Sequence, residues 1–321
     1  VKLVKIIRRE VWRTCSAEEN MRPLVSGMRS EENNPTLRRL KAKAQNLYCR
    51  GLKTFGKEAK HCPTVDPDRQ ATSLEVGQEK AIVISAITRL RPLMFDALLQ
   101  SLEKLRVPTG TELQFCFVEN GESLSIDGRV KEFCQITGFK AVAICEPRLG
   151  IPFARNAALN WALDNEADFL AFIDDDEVAQ NDWMEKLYAG IEARGLDLVG
   201  GPVCPVAPDQ NLRNGSLSTI EATVFRGSEM RARRMARKNS RRSRANNDQQ
   251  VTIVTNNWLC RLNFLRQNNV KFDEGLGYSG GSDAAFYRAA KKAKAHTGWV
   301  PDAVVVEEIP VSRLTLAYQF M

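Results

Sequence analysis

Residues 168–177 read Asp-Phe-Leu-Ala-Phe-Ile-Asp-Asp-Asp-Glu. The apolar run Phe169–Ile173 is too short for a buried helix and stops at four consecutive acids, Asp174, Asp175, Asp176 and Glu177. It predicts a buried strand that opens into an acidic pocket. Carboxylates packed this tightly repel one another unless a cation or solvent compensates, so the cluster points to a divalent metal with oxygen ligands. A solvated acidic turn following a strand is the alternative, and the four acids by themselves do not separate the two.

Upstream of this stretch, the chain alternates strand and helix patterns. Ala81–Ile87 reads as a buried strand, and a helix with apolar spacing at Leu93, Ala97, Leu98, Leu102 and Leu105 begins after Pro92. Leu113–Val118 and Lys140–Cys145 read as further strands. Helical segments are expected near Ile126–Thr137 and from Gly150 to Asn165. Downstream, a helix over Asn181–Arg194 and a strand over Asp197–Val203 extend the pattern. The expected fold is therefore α/β, a mostly parallel sheet covered on both faces, whose ligands collect at the C-terminal ends of the strands. Each of the first four strands ends there in a polar residue: Thr88, Glu119, Glu146 and Asp174.

Composition narrows the function classes. The chain has 321 residues, 43% hydrophobic and 26% charged, as in a soluble protein with a sizeable core. No apolar segment is long enough to span a bilayer, and residues 1–80 lack the apolar centre of a signal peptide, which predicts a cytoplasmic protein. The eight cysteines are scattered without a Cys-x-x-Cys pair and read as reduced core thiols. Only His61 and His296 are present, too few for a histidine-rich metal site or a serine–histidine relay. The net charge of +7 is segregated: residues 1–80 carry 17 Lys+Arg against 10 Asp+Glu, and residues 226–250 carry nine basic groups against two acids.

Residues 1–80 form a basic, poorly defined N-terminal extension in which only the stretch around Leu37–Leu52 reads as helical. Val1–Trp12 mixes apolar and cationic residues, either as a membrane-surface helix or as an uncommitted tail. The stretch Arg231–Arg244 in the basic loop 226–250 reads either as a mobile flap meeting an anionic lipid surface or lipid pyrophosphate, or as a solvated insertion. No interleaved aromatics support nucleic-acid binding.

Eight ordered segments, spread over about residues 81–318, resemble glycosyltransferase family 2. They are Thr88–Pro92, Val118–Asn120, Gly150–Asn156, Phe172–Glu177, Gly200–Pro202, Thr255–Asn257, Phe272–Asp273 and Gly280–Asp283. The nearest flavour is the non-processive branch that builds bacterial exopolysaccharide and surface glycans, including succinoglycan-type transferases. The resemblance implies a GT-A fold over 81–321 and transfer of one sugar, with inversion, from a nucleotide-diphosphate donor, a UDP-sugar foremost. It also implies Mg²⁺ or Mn²⁺ as cofactor and a glycan or polyprenyl-diphosphate-linked acceptor, with peripheral contact at the inner face of the cytoplasmic membrane as an option.

On the matching positions, the resemblance assigns Asp174 to the ribose and Asp176 to the metal that bridges the diphosphate, with Asp175 and Glu177 in support. Thr88 and Glu119 would line the nucleoside pocket, although the family usually has Asp at the second. Arg155 and Asn156 open the helix before the acidic strand, where the arginine would pair with phosphate or orient the acids. Asp283 would be the catalytic base, or the N-cap of the following helix. Gly280 and Gly281 let the backbone approach the sugar, and Ser282 stands where the family has Glu. Asn257 and Arg313 complete the set as acceptor or phosphate contacts. A catalytically silent GT-A protein and a nucleotidyltransferase are the alternatives. The latter relies on a Gly-rich loop after its first strand, and Thr88–Pro92 contains no glycine.

Overall fold

The computed structural model describes residues 79–208, 217–254, 256–277, 280–315 and 318. Apart from its last two residues, the N-terminal extension lies outside these, as does Thr255. The first half runs β1 (Lys80–Thr88), α1 (Pro92–Leu102), β2 (Thr111–Asn120), α2 (Asp127–Thr137), β3 (Lys140–Glu146), α3 (Ile151–Asp164), β4 (Phe169–Ile173) and β5 (Glu177–Ala179). The second half adds α4 (Trp183–Glu192), β6 (Leu198–Gly200), β7 (Val203–Val206), α5 (Thr219–Arg244), β8 (Asn257–Arg261), α6 (Leu262–Asn268), α7 (Ser282–Lys292), β9 (Thr297–Trp299) and β10 (Val305–Glu308).

Seven strands form one sheet in the order β3-β2-β1-β4-β8-β6-β9. Every neighbouring pair is parallel except those made by β8, which runs antiparallel to both β4 and β6. The expected α/β fold with a mostly parallel central sheet is thus present. Successive side chains of a strand point to opposite faces, and β1 divides accordingly. Ile82, Ile84 and Ala86 face α1, α2 and α4, whereas Val83 joins α3, α6 and α7 on the other side.

Two details depart from the sequence reading. The single strand expected over Asp197–Val203 is broken at Gly201–Pro202 into β6, which stays in the large sheet, and β7, which pairs with β10. Proline offers no N–H to a ladder, and a Cβ on Gly201 would lie 2.0 Å from the Ala303 carbonyl oxygen, so the chain switches sheets at this point. The resulting small sheet, β5-β10-β7, stands beside the acidic strand end and pairs Glu177 with Glu307.

The basic stretch expected as a loop is instead the 26-residue helix α5. Ser218 and Glu221 begin it reciprocally: the Ser218 hydroxyl accepts from the Glu221 N–H at 3.3 Å, and the Glu221 carboxylate accepts from the Ser218 N–H at 2.9 Å. This capping box supplies partners for the otherwise unsatisfied first turn. Arg241, Arg242 and Arg244 sit in the last turn, where cations favour the helix dipole.

Candidate active site

The acidic cluster lies where the parallel strands end. β1 and β4 are adjacent, with Ser85 opposite Phe172, and this register carries Thr88 level with the residues just beyond Ile173. The Thr88 hydroxyl donates to Asp175 at 2.8 Å, and Arg91 donates to the other Asp175 oxygen at 3.0 Å. Asp175 is therefore enclosed and fully engaged. Burial first, then the Asp176 and Asp174 charges, push its carboxyl up to about 6 despite Arg91.

Asp176 accepts on Oδ2 from Arg91 and from Arg313, each at 3.4 Å, and its Oδ1 has no partner among the described residues. Glu177 is buried beneath the turn, accepting from the Asp174 N–H at 2.9 Å and from Asn256 at 2.8 Å. Burial, the Asp174 charge, Glu307 and Asp176 raise its carboxyl well above the usual range. Glu307, opposite it on β10, is pushed up to about 7 by burial and by Asp176 and Asp174, although Arg313 donates to it at 3.0 Å.

Arg155 ties this strand end to the distant Gly-Gly turn. It is only 4% exposed and donates to Asp283 and, at 3.4 Å, to Asp174. Its guanidinium lies against the rings of Phe172 and Phe272, with centroids 5.9 and 5.6 Å away. Of the two roles the sequence left open, orienting the acids is the one this geometry displays. Asp174 keeps 39% of its side chain open. The loss of water around its charged form raises its carboxyl, aided by Asp176 and Asp283 and opposed by Arg155.

Asp283 lies in the first turn of α7, and 45% of its side chain is open to solvent. Its side chain makes no cap hydrogen bond; Gly281 occupies the cap position instead. Oδ1 accepts from Arg155 and, at 3.3 Å, from Ser282, which leaves Oδ2 without a partner among the described residues. Gly280 and Gly281 have φ of +74° and +80°, a left-handed pair that L side chains adopt only with strain.

Three predicted residues instead hold the scaffold. Glu119 accepts from the N–H and hydroxyl of Ser125 and, at 3.2 Å, from the Ile126 N–H, so its carboxylate organises the loop into α2. Asn156 receives the Phe272 N–H and donates to the Phe272 carbonyl and to Glu274, latching the 272–274 segment onto α3. Asn257 is 0% exposed; it accepts from Trp183 Nε1 at 2.8 Å and donates to the Pro202 and Ala303 carbonyls at 2.9 and 2.8 Å. Neither of its polar atoms is left for an acceptor sugar. Two members went unassigned in the sequence, Arg91 and Glu307. Their signal was a pair of like charges directly after an apolar strand run, Arg89 and Arg91 after Ala81–Ile87, and Glu307 and Glu308 after Val304–Val306.

Five acids, Asp174, Asp175, Asp176, Asp283 and Glu307, thus converge on three arginines, and a sixth, Glu177, lies opposite Glu307 without an arginine partner among the described residues. The raised carboxyls register the surplus of negative charge. No group of three or more Asp, Glu, His or Cys among the described residues could by itself enclose a metal ion. Mg²⁺ and similar hard cations are usually held by one or two carboxylates together with substrate phosphates, so the donor set suits a cation shared with a diphosphate at Asp176.

The sequence profile of glycosyl transferase family 2 matches residues 82–268. The chain belongs to this family. Succinoglycan biosynthesis protein ExoM of Rhizobium meliloti (strain 1021) is 29% identical over 241 residues, 74% of this chain and 70% of that protein. Among solved structures, S. aureus TarS superposes with a TM-score of 0.50 at 17% identity, over 72% of this chain and 37% of that one. TarS 1–349 in complex with UDP-GlcNAc gives 0.50 at 18% identity, over 72% and 59%. The chain therefore spans less than two thirds of the TarS chains, and at these identities the likeness speaks for the fold. This family 2 glycosyltransferase has the expected GT-A fold, and no helix among its described residues is long and apolar enough to cross a membrane.

Proposed function

We propose that this glycosyltransferase transfers one sugar, with inversion, from a nucleotide-diphosphate donor to a glycan or polyprenyl-diphosphate-linked acceptor in surface or exopolysaccharide biosynthesis. The observation that carries this reading is the Arg155 bridge, which brings Asp174 at the end of β4 and Asp283 at the start of α7 to one guanidinium. A single displacement needs a donor-holding element and a proton acceptor on either side of one anomeric carbon. The likeness to a succinoglycan biosynthesis protein supports the glycan acceptor, and the TarS complex supports a UDP-sugar.

In this reading, Asp176 holds Mg²⁺ or Mn²⁺, which when bound supplies positive charge against the departing nucleoside diphosphate. Arg91 and Arg313 are 41% and 30% exposed at the side chain and swing from Asp176 onto the diphosphate oxygens. Asp174 receives the ribose. The unpartnered Oδ2 of Asp283 takes the proton of the acceptor hydroxyl as its oxygen attacks, while Arg155 keeps Oδ1 fixed. The absence of glycine from Thr88–Pro92 counts against a nucleotidyltransferase.

The test is a screen of nucleotide sugars with Mn²⁺ and a lipid or glycan extract, following release of nucleoside diphosphate and the anomeric configuration of the product. Loss of turnover by roughly 10²- to 10⁴-fold in Asp283→Asn is expected for removal of a general base. Uniform inactivity of the wild type, or a retained anomeric configuration, would overturn the proposal.

A further inference from the structure

We propose that the outer face of α5 is a docking surface for an anionic phospholipid bilayer. At 100° per residue, Arg226, Arg234, Lys238, Arg241 and Arg244 fall within an arc of about 140°, which Arg231 and Arg237 share. All seven are exposed. The helix's two acids, Glu221 and Glu229, lie outside that arc and are partly buried. Glu229 is moreover spent on Arg233 at 2.9 Å. The five cations named first make no ion pair among the described residues.

The opposite face is fixed to the body. Asn239 is 1% exposed and exchanges two hydrogen bonds with the Thr252 backbone, and Ala236 is buried beside it. The charged face is consequently held outward from the body, as a row about 27 Å long from Arg226 to Arg244 at 1.5 Å per residue. Five fixed cations with no ion pair among the described residues complement a flat, negatively charged surface. The only large apolar side chains on the arc are Ile220 and Met230, 53% and 55% exposed, both toward the N-terminal half. That is too little apolar area for insertion, so attachment is electrostatic and salt-sensitive. No aromatic residue lies on the arc to stack a nucleobase, which favours the bilayer over RNA. α5 packs against β7 and the 311–314 turn that carries Arg313, so docking would set the site close to the membrane plane.

The inference does not depend on the proposed reaction, because its readout is binding. The full chain is sedimented with vesicles of phosphatidylcholine alone, and with vesicles containing about one third phosphatidylglycerol, at low and high salt. Binding to the anionic vesicles only, lost at high salt, is expected. The variant R234Q/K238Q/R241Q should bind them roughly a hundred-fold more weakly, from about a factor of five per cation. R226Q/R244Q should lose roughly twenty-five-fold by the same arithmetic, which keeps the test informative if the triple variant folds poorly. Equal binding to neutral vesicles, undiminished binding by both folded variants, or preference for a single-stranded RNA at equal phosphate concentration would overturn the proposal.

Discussion

Replacing Asn257 by alanine discriminates most sharply between a residue that touches substrate and one that holds the site together. Its side chain is fully enclosed and makes three hydrogen bonds, one from Trp183 on α4, one to Pro202 between β6 and β7, and one to Ala303 before β10. At a net value of about 1 kcal/mol each, their loss costs about 3 kcal/mol. For a domain of this size, that lowers the melting temperature by about 6–12 °C. Asn257→Asp sharpens the test, because it sets an oxygen where the amide donates to two carbonyls. Ionisation of that carboxyl is disfavoured in the folded state, so its folded pKa is raised above the unfolded one. The variant is then most stable at low pH and loses stability as pH rises through the carboxylate range. Thermal unfolding between pH 4 and 8, beside donor hydrolysis per folded molecule, reads both effects. If Asn257→Ala melts with the wild type while its KM for acceptor rises, the structural assignment is wrong.

Three further outcomes follow. Asp176→Asn should abolish Mn²⁺-dependent binding of UDP measured by calorimetry, whereas Asp175→Asn, whose carboxylate is already held by Thr88 and Arg91, should retain most of it; the reverse pattern would shift the metal carboxylate by one residue. Glu307 has a folded pKa near 7, raised from the usual carboxylate range, so it contributes stability at acid pH that is lost as pH rises to about 7. Glu307→Gln should accordingly flatten that slope and raise stability at pH 8 by about 1–3 kcal/mol, less whatever its Arg313 contact contributes. A Cβ on Gly281 meets nothing within 4 Å, so Gly281→Ala should cost only the backbone strain of φ +80°, about 1–2 kcal/mol, while turnover falls further as Asp283 is re-aimed; Gly281→Asn, which tolerates that conformation, should recover part of both.

Legibility in the sequence tracked the range of the interaction. Strands β1 to β4 announce themselves as apolar runs that end in a polar residue, because burial and strand termination are both local. Asp174–Asp176 could be singled out because the apolar strand before them is adjacent in the chain, and Asp283 because Gly280–Asp283 resembles a short segment of the family. The roles of Asn156 and Asn257 were not legible, since their partners Phe272, Trp183, Pro202 and Ala303 are brought together only by the fold. Glu307 needed the pairing of β10 with β5 to reach Glu177. Helix α5 is a different failure: its density of arginines suggested a solvated loop, yet the Ser218-x-x-Glu221 start is a local signal that marks a helix.

The three arginines of the site divide by how free they are to move. Arg155 is enclosed between two rings and two carboxylates, so it cannot leave without stranding a buried cation, and its Nε already lacks a partner. It can therefore only fix the spacing of Asp174 and Asp283. Arg91 and Arg313 reach Asp176 from half-exposed positions at 3.4 Å, long for charge-assisted bonds, and each has a second carboxylate, Asp175 or Glu307, to fall back on. Releasing Asp176 costs each of them one weak contact rather than its only one. The rigid arginine thus suits a fixed distance across the reacting centre, and the two loose ones suit an anion that must arrive, bind and depart.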